Sequence, residues 1–271
     1  RLATARDPAA RVAAAGILVF LGQGSEAWLT GLLDDPDEDV VAAALRGAAR
    51  SAVPPHPQRL LHLFGSPRLR AAATELAQAW ATRDAAVLIA CIDAPDTPAG
   101  ARPALVGALA AAPNSVLEKV LQRWLEGSDA SLRGAALALI LARRDRRGER
   151  PPTAAVVEQC LTREIQEAGT CQAVARDLSH LGDLLLDDAL RRRFVQARDR
   201  CLRCLDLLFD DLSHSRVTRS LNDRDRRQAA TAIELIDQLI PRRLAHDLLP
   251  LFDEVVAVYP AATAESRLTA L

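Results

Sequence analysis

The sequence predicts an all-α protein, an α-solenoid of stacked helical hairpins with one irregular insertion. Three observations predict it. Apolar residues make up 49% of the 271 residues but aromatics only 3%. The apolar share is mostly alanine and leucine, the residues that favour helix, rather than the β-branched and aromatic residues that favour strands. A segment of constant grammar recurs along the chain, and a shorter apolar stretch follows most copies, as a hairpin requires.

The recurring segments are DPAARVAAAGILVFLG from Asp7, DPDEDVVAAALRGAAR from Asp35 and SPRLRAAATELAQAWA from Ser66. TPAGARPALVGALAAA from Thr97, SDASLRGAALALILAR from Ser128 and NDRDRRQAATAIELID from Asn222 complete the set. The intervals are 28, 31, 31, 31 and 94 residues, the last close to three periods. Each segment opens on a residue able to cap a helix by accepting a hydrogen bond from a first-turn amide. Proline often follows, where its missing N–H costs nothing. A helix of about four turns then places alanine where backbones approach closely, with leucine, valine or isoleucine filling the core. The shorter partners read as SEAWLTGLL, PQRLLHLFG, DAAVLIACI and NSVLEKVLQRWLEG. Such a hairpin cannot bury its apolar face alone and must stack on its neighbours.

The segments from Asp7 and Asp35 share D-P-x-x-x-V followed by an alanine run, at Asp7, Pro8, Val12 and Asp35, Pro36, Val40. On these residues the chain resembles HEAT repeats, which implies a solenoid but no particular activity. The expected organisation is a single HEAT-like domain over 1–271. Regular repeats occupy 1–143, an irregular insertion 144–215 and further repeats 216–271. The insertion opens on RRDRRGERPP, read as a polar linker, and a proline-led helix begins near Thr153. A long helix is expected over about 187–212. It sets Leu190, Phe194, Ala197, Cys201, Cys204, Leu205, Leu208 and Leu212 on one face, with Arg192, Arg193, Arg200 and Arg203 roughly opposite.

Net charge is −1. Residues 1–140 carry 13 basic and 14 acidic side chains, and 141–271 carry 21 of each. Neither half has the basic footprint of a dedicated nucleic-acid binder. All basic residues except Lys119 are arginine, a skew that compositional bias explains more simply than phosphate recognition. The chain contains no methionine, which predicts a fragment or a processed product. No segment reads as a signal peptide, and the longest uncharged runs, 12–25 and 103–117, fall short of the roughly 18–20 apolar residues of a membrane span. The chain therefore reads as soluble. Five irregularly spaced cysteines do not form a secreted disulfide framework, which points to a reducing, cytoplasmic setting.

Candidate chemistry is sparse. Cys201 and Cys204 form a C-x-x-C, half of a zinc site, but a closed site takes four ligands and no second pair exists. Both also fall on the apolar stripe, where small hydrophobes belong. His56, His62, His180, His214 and His246 show no H-E-x-x-H spacing, and no nucleophile-elbow, Walker or dinucleotide pattern occurs. No catalytic, cofactor-binding or metal residue is expected, and no small-molecule substrate. Trp28, Trp80 and Trp124 could stack on bases, as in helical-repeat alkylated-base DNA glycosylases, which the predicted fold resembles in outline. The spacing favours core positions for Trp80 and Trp124 and leaves Trp28 open. In the segment from Asn222, Asp223 and Asp225 suit the start of a helix dipole. There Ala229, Ala232, Ile233 and Ile236 form the buried stripe, leaving Arg224, Arg226 and Arg227 as solvated turn residues. The one candidate partner surface is the arginine face, at Arg192, Arg193, Arg200 and Arg203. It would take an acidic protein segment, anionic lipid or RNA, unless i, i+4 pairs such as Asp188–Arg192 and Asp199–Arg203 already satisfy it.

A narrower resemblance lies in the last 70 residues. A-x-E-L-[LI]-D occurs at Ala232, Ile233, Glu234, Leu235, Ile236 and Asp237, and a proline-led helix follows from Pro241 to a P-L-F at Pro250–Phe252. This stretch resembles the soluble HEAT-repeat portion of bacterial fusions to ATP/ADP-translocase-like or major-facilitator-type membrane domains. Thr231 and Ala229 stand where that pattern has asparagine and arginine. The resemblance implies a non-catalytic scaffold, the cytosolic regulatory module of a nucleotide-translocase-like transporter. Such a module would be tethered to the inner membrane through a covalently linked membrane domain and would bind protein. The alternative is a nucleic-acid-binding helical-repeat protein such as the glycosylases above.

Overall fold

The computed structural model describes residues 5–20, 31–50, 57–98, 100–148, 152–178, 183–209, 212–221 and 226–252. Among these residues every regular element is helical and none is a strand. No described helix is long and apolar enough to cross a membrane. The chain separates into two compact units, 1–150 and 151–271, and the break falls inside RRDRRGERPP.

The first unit holds α1 (Pro8–Phe20), α2 (Glu38–Arg50), a 3₁₀ segment (Pro57–Gly65), α3 (Arg70–Arg83) and α4 (Ala85–Asp93). After these come α5 (Arg102–Ala108), a short 3₁₀ turn (Leu109–Ala111), α6 (Asn114–Glu126) and α7 (Ala130–Arg147). Each helix of the recurring segments packs on the next: α1 on α2, α2 on α3, α3 on α5 and α5 on α7. Alanine makes this close packing possible. Ala44, Ala48, Ala73, Ala77, Ala108 and Ala136 are fully enclosed, and Leu45, Leu76, Leu105 and Leu137 fill the space between. Burying each such leucine contributes about 1.5–3 kcal/mol.

The helix starts differ from the sequence expectation in an instructive way. Asp7 does cap its helix, accepting from the Ala9 amide. Asp35 instead accepts from the Asp37 amide, and Asp37 accepts from Asp39 at the true start of α2. The Ser66 hydroxyl donates to Glu38 at 2.7 Å and the Thr97 hydroxyl to the Cys91 carbonyl at 2.5 Å. Helices α3 and α5 begin further along, after Leu69 and Ala101, and start without a side-chain cap. Asp129, not Ser128, caps α7 by accepting from Leu132. Asn222 lies outside the described residues. The partner PQRLLHLFG is a 3₁₀ segment rather than an α-helix.

Two sets of side chains tie these helices at their ends. At the amino ends, Arg11 makes a bidentate contact with Asp35 at 2.7 and 3.0 Å. Ser66 bonds Glu38, and Arg102 pairs with Asp129. At the carboxyl ends, Arg83 donates to the Ala49 carbonyl at 3.2 Å. Arg143 donates to the carbonyls of Leu109, Ala110 and Ala112 and to Asn114 Oδ1. Each arginine thus satisfies carbonyls that the preceding repeat leaves without helical partners. Arg143 also corrects the linker reading. Residues 143–147 are the last turn of α7, and the buried Arg143 anchors it. The helix stops at Gly148, whose φ of +62° is left-handed and whose amide bonds the Arg144 carbonyl, an αL stop that glycine adopts without strain.

The second unit contains α8 (Ala154–Leu178), α9 (Leu184–Leu208), α10 (His214–Leu221), α11 (Arg226–Leu239) and α12 (Arg242–Leu248). Helix α8 starts just after Thr153, as the sequence predicts. Helix α9 starts three residues before the expected 187 and ends at Leu208 rather than 212. It packs on α8 along its length and on α10.

Candidate functional site

Helix α9 is placed by its cap. Asp183 accepts from the amides of Leu185 and Leu186, and Asp187 follows in the first turn, where the dipole favours a carboxylate. Contacts across the seam run in opposite senses along the two helices, Arg193 to Glu167 and Arg200 to Glu164, so α8 and α9 are antiparallel. Val157, Cys160, Leu161, Ala168 and Cys171 of α8 meet Ala197, Cys201, Cys204 and Leu205 of α9 in a seam of small side chains.

The four predicted arginines do not form one exposed face. Arg192 is exposed and pairs with Asp188 at 2.8 Å within its own helix. Arg193 reaches across to Glu167 at 2.9 Å, a hydrogen bond that raises its already high pKa. Arg203 is half-buried and pairs with Asp199 at 2.8 Å. Arg200 lies inside the unit, its side chain 7% exposed, with Nε donating to Glu164 Oε2 at 2.7 Å and Nη2 3.3 Å from Glu167. Glu164 is itself 0% exposed. The arginine stripe is continuous in angle but changes environment along the helix. It is open to solvent at Arg192 and Arg193 and enclosed at Arg200. Helical spacing could find the stripe. It could not find the burial, because the partner carboxylate lies thirty-six residues earlier in the chain.

The C-x-x-C pair is core. Cys201 and Cys204 are fully enclosed beside Cys160. Burial pushes both thiols well above their ordinary pKa, Glu164 adding to the shift at Cys201 and a hydrogen bond with Cys160 adding to it at Cys204. Burial likewise raises Cys91 and Cys171. A thiol held protonated is a poor nucleophile. Among the described residues no group of three or more His, Cys, Asp or Glu could hold a metal ion. His62 and His246 are exposed, the latter beside Asp247 at 2.7 Å. His56 and His180 fall outside the described residues, as does the side chain of His214.

Trp80 and Trp124 are buried, as their spacing predicts. The Trp124 indole donates to Asp93 Oδ1 at 2.7 Å, and Arg123 pairs with the other oxygen. Trp28 lies outside the described residues. In the repeat from Asn222, residues 222–225 do too. Ala229, Ala232 and Ile236 are buried as expected, but Ile233 is only half-buried, and the exposed Arg227 lies in the first turn of α11 rather than in a turn before it. Between α10 and α11 runs an open groove of about 500 Å³, with Arg216, Ser220, Gln228 and Thr231 on its walls and Val217 and Ala232 at its floor. Sequence reasoning did not anticipate the buried charges Glu164, Arg133 and Arg143. No protein-family model matches the chain, and no curated protein does either.

Proposed function

We propose that the chain is an α-solenoid of HEAT-like hairpins and acts as a non-catalytic binding module, presenting an extended surface to a protein partner. The observation that carries this reading is the succession α1, α2, α3, α5, α7, in which Arg11–Asp35 ties α1 to α2, Ser66–Glu38 and Arg83 tie α2 to α3, and Arg102–Asp129 and Arg143 tie α5 to α7. Such an array leaves its outer faces free for contact, because the stacking alone buries its apolar ones. Among the described residues the thiols are enclosed, and His62 and His246 sit at the surface. The narrower assignment, a cytosolic module of a nucleotide-translocase-like transporter, rests on Ala232–Asp237 and Pro250–Phe252 alone. The reading frame around this segment tests it directly: about a dozen apolar spans encoded beside it would support the assignment, and their absence would remove it.

The nucleic-acid alternative loses its aromatic platforms at Trp80 and Trp124, since enclosed indoles cannot stack on a base. Titration with a DNA duplex and with single-stranded RNA at two salt concentrations separates the two readings. The binding-module reading expects negligible affinity at physiological salt. Tight binding with a steep salt slope would overturn it.

A further inference from the structure

We propose that the outward face of the first half of α9 is a self-association surface that takes the same face of a second copy of this chain, the two helices running antiparallel. The face lies opposite the α8 seam. Successive residues turn by about 100° around a helix, which gathers Leu184, Leu185, Asp188, Arg191, Arg192 and Val195 on the side away from Ala197 and Cys201. Leu184 is 74% exposed, Leu185 81% and Val195 37%. Isolated exposed apolar residues need no explanation, but two adjacent leucines this open, on a face with a third apolar residue, mark a contact surface.

Charge order identifies the occupant. Along the face the sequence runs apolar, acidic, basic, apolar: Leu184 and Leu185, then Asp188, then Arg191 and Arg192, then Val195. That order is self-complementary about a twofold axis beside residues 189 and 190, as an isologous interface requires. In the antiparallel pair Leu184 of each copy meets Val195 of the other and Asp188 meets Arg191. A parallel pair, or a uniformly acidic or basic partner, would set like charges together at one half of the face. Within one chain the same charges already pair as Asp187–Arg191 at 3.5 Å and Asp188–Arg192 at 2.8 Å. Dimerisation therefore sets Asp188 between Arg192 of its own helix and Arg191 of the second copy, and covering the leucines supplies the drive. The face is about 17 Å long and covers less than the roughly 1,200 Å² typical of a stable complex. Association is accordingly reversible, with a dissociation constant roughly in the range 10–200 μM. The inference concerns a helix that the repeat-module reading does not use, so either can fail alone.

Sedimentation velocity of the 271-residue chain, up to about 500 μM, tests it. The wild type should shift from monomer to dimer as concentration rises. Leu184→Glu with Leu185→Glu should weaken the dimer about tenfold or more while leaving the far-ultraviolet circular dichroism unchanged, since both side chains are already in solvent. Two charge variants give the sharper test. Asp187→Arg/Asp188→Arg and Arg191→Asp/Arg192→Asp should each be monomeric alone, yet form a one-to-one dimer when mixed. A wild type that stays monomeric throughout would overturn the proposal, as would a dimer indifferent to the leucine and charge variants or a mixture of charge variants that fails to associate.

Discussion

The two units put their charged side chains to opposite uses. In residues 1–150 the described ion pairs between helices, and the arginine contacts to carbonyls, sit at helix ends: Arg11–Asp35 and Arg102–Asp129 at amino ends, Arg83 and Arg143 over carboxyl ends. The stretches between those ends stay apolar and alanine-rich. In residues 151–271 a pair lies mid-helix inside a seam, Glu164 with Arg200. Repeated short helices can be held in step from their tips. A hairpin of two 25-residue helices lined with Ala168, Ala197, Cys201 and Cys204 has little side-chain relief to stop one helix sliding a turn along the other. A buried arginine held by Glu164 and Glu167 penalises that slide, the role in which interior ion pairs are best attested.

The largest expected effect breaks the interior pair. Glu164→Ala leaves the buried Arg200 with only Glu167, 3.3 Å from its Nη2, and should cost the second unit about 3 kcal/mol, the lower end for a broken interior pair, read as a lower denaturation midpoint in urea. Glu164→Leu combined with Arg200→Met should recover most of that loss. If the pair sets register, cysteine cross-links across α8 and α9 should then form at more than one spacing, whereas the wild type permits one. Next comes Arg143→Met, which leaves the carbonyls of Leu109, Ala110 and Ala112 without their donor. A loss of about 2–3 kcal/mol is expected, with the first unit's amide protection around 109–114 falling before that of α1 and α2. A change below about 0.5 kcal/mol would mean that water replaces the guanidinium.

A smaller effect should appear as a pH dependence. The Arg11 hydrogen bonds hold the Asp35 carboxyl below its ordinary pKa, with the Asp37 amide assisting and partial burial opposing. The folded chain therefore binds that proton more weakly than the unfolded one, whose carboxyl titrates near about 3.9. The pair's contribution is complete above that value and is lost as pH falls through the lower folded-state pKa. Asp35→Asn should lower the thermal midpoint at pH 7 and narrow the difference between pH 7 and pH 3; an unchanged pH profile would assign the acid sensitivity to other carboxylates. The smallest effect is at the surface. Asp188→Ala removes an exposed i, i+4 pair and should change unfolding stability by less than about 0.5 kcal/mol, so any larger influence it has should be confined to association.

These differences also mark what could be read from the sequence. Helix class, the burial of Trp80 and Trp124, the apolar stripe through Cys201 and Cys204, and the pairs Asp188–Arg192 and Asp199–Arg203 all depend on neighbours within a turn or two, and spacing exposes them. Helix starts were less legible, because a residue able to cap need not stand at the first turn. The helices expected from Ser66 and Thr97 begin only at Arg70 and Arg102, and in the segments from Asp35 and Ser128 a nearby aspartate, Asp37 or Asp129, is the cap. Least legible were residues whose state depends on distant chain. RRDRR reads as linker until Arg143 is seen against carbonyls 31–34 residues upstream. Arg200 is indistinguishable from Arg192 until Glu164 is placed beside it.

The end-to-end ties of the first unit also bear on how such a chain can change in length. Each reaches only as far as the adjoining hairpin, across 24 to 34 residues. A duplicated copy of residues 7–34 would carry its own arginine in the place of Arg11 and, in Asp7, an aspartate in the place of Asp35, so the amino-end ties on either side of the new copy could be made without any other residue having to mutate. Half a period would break that register, and a gene built this way can lengthen by copying before it has to adapt.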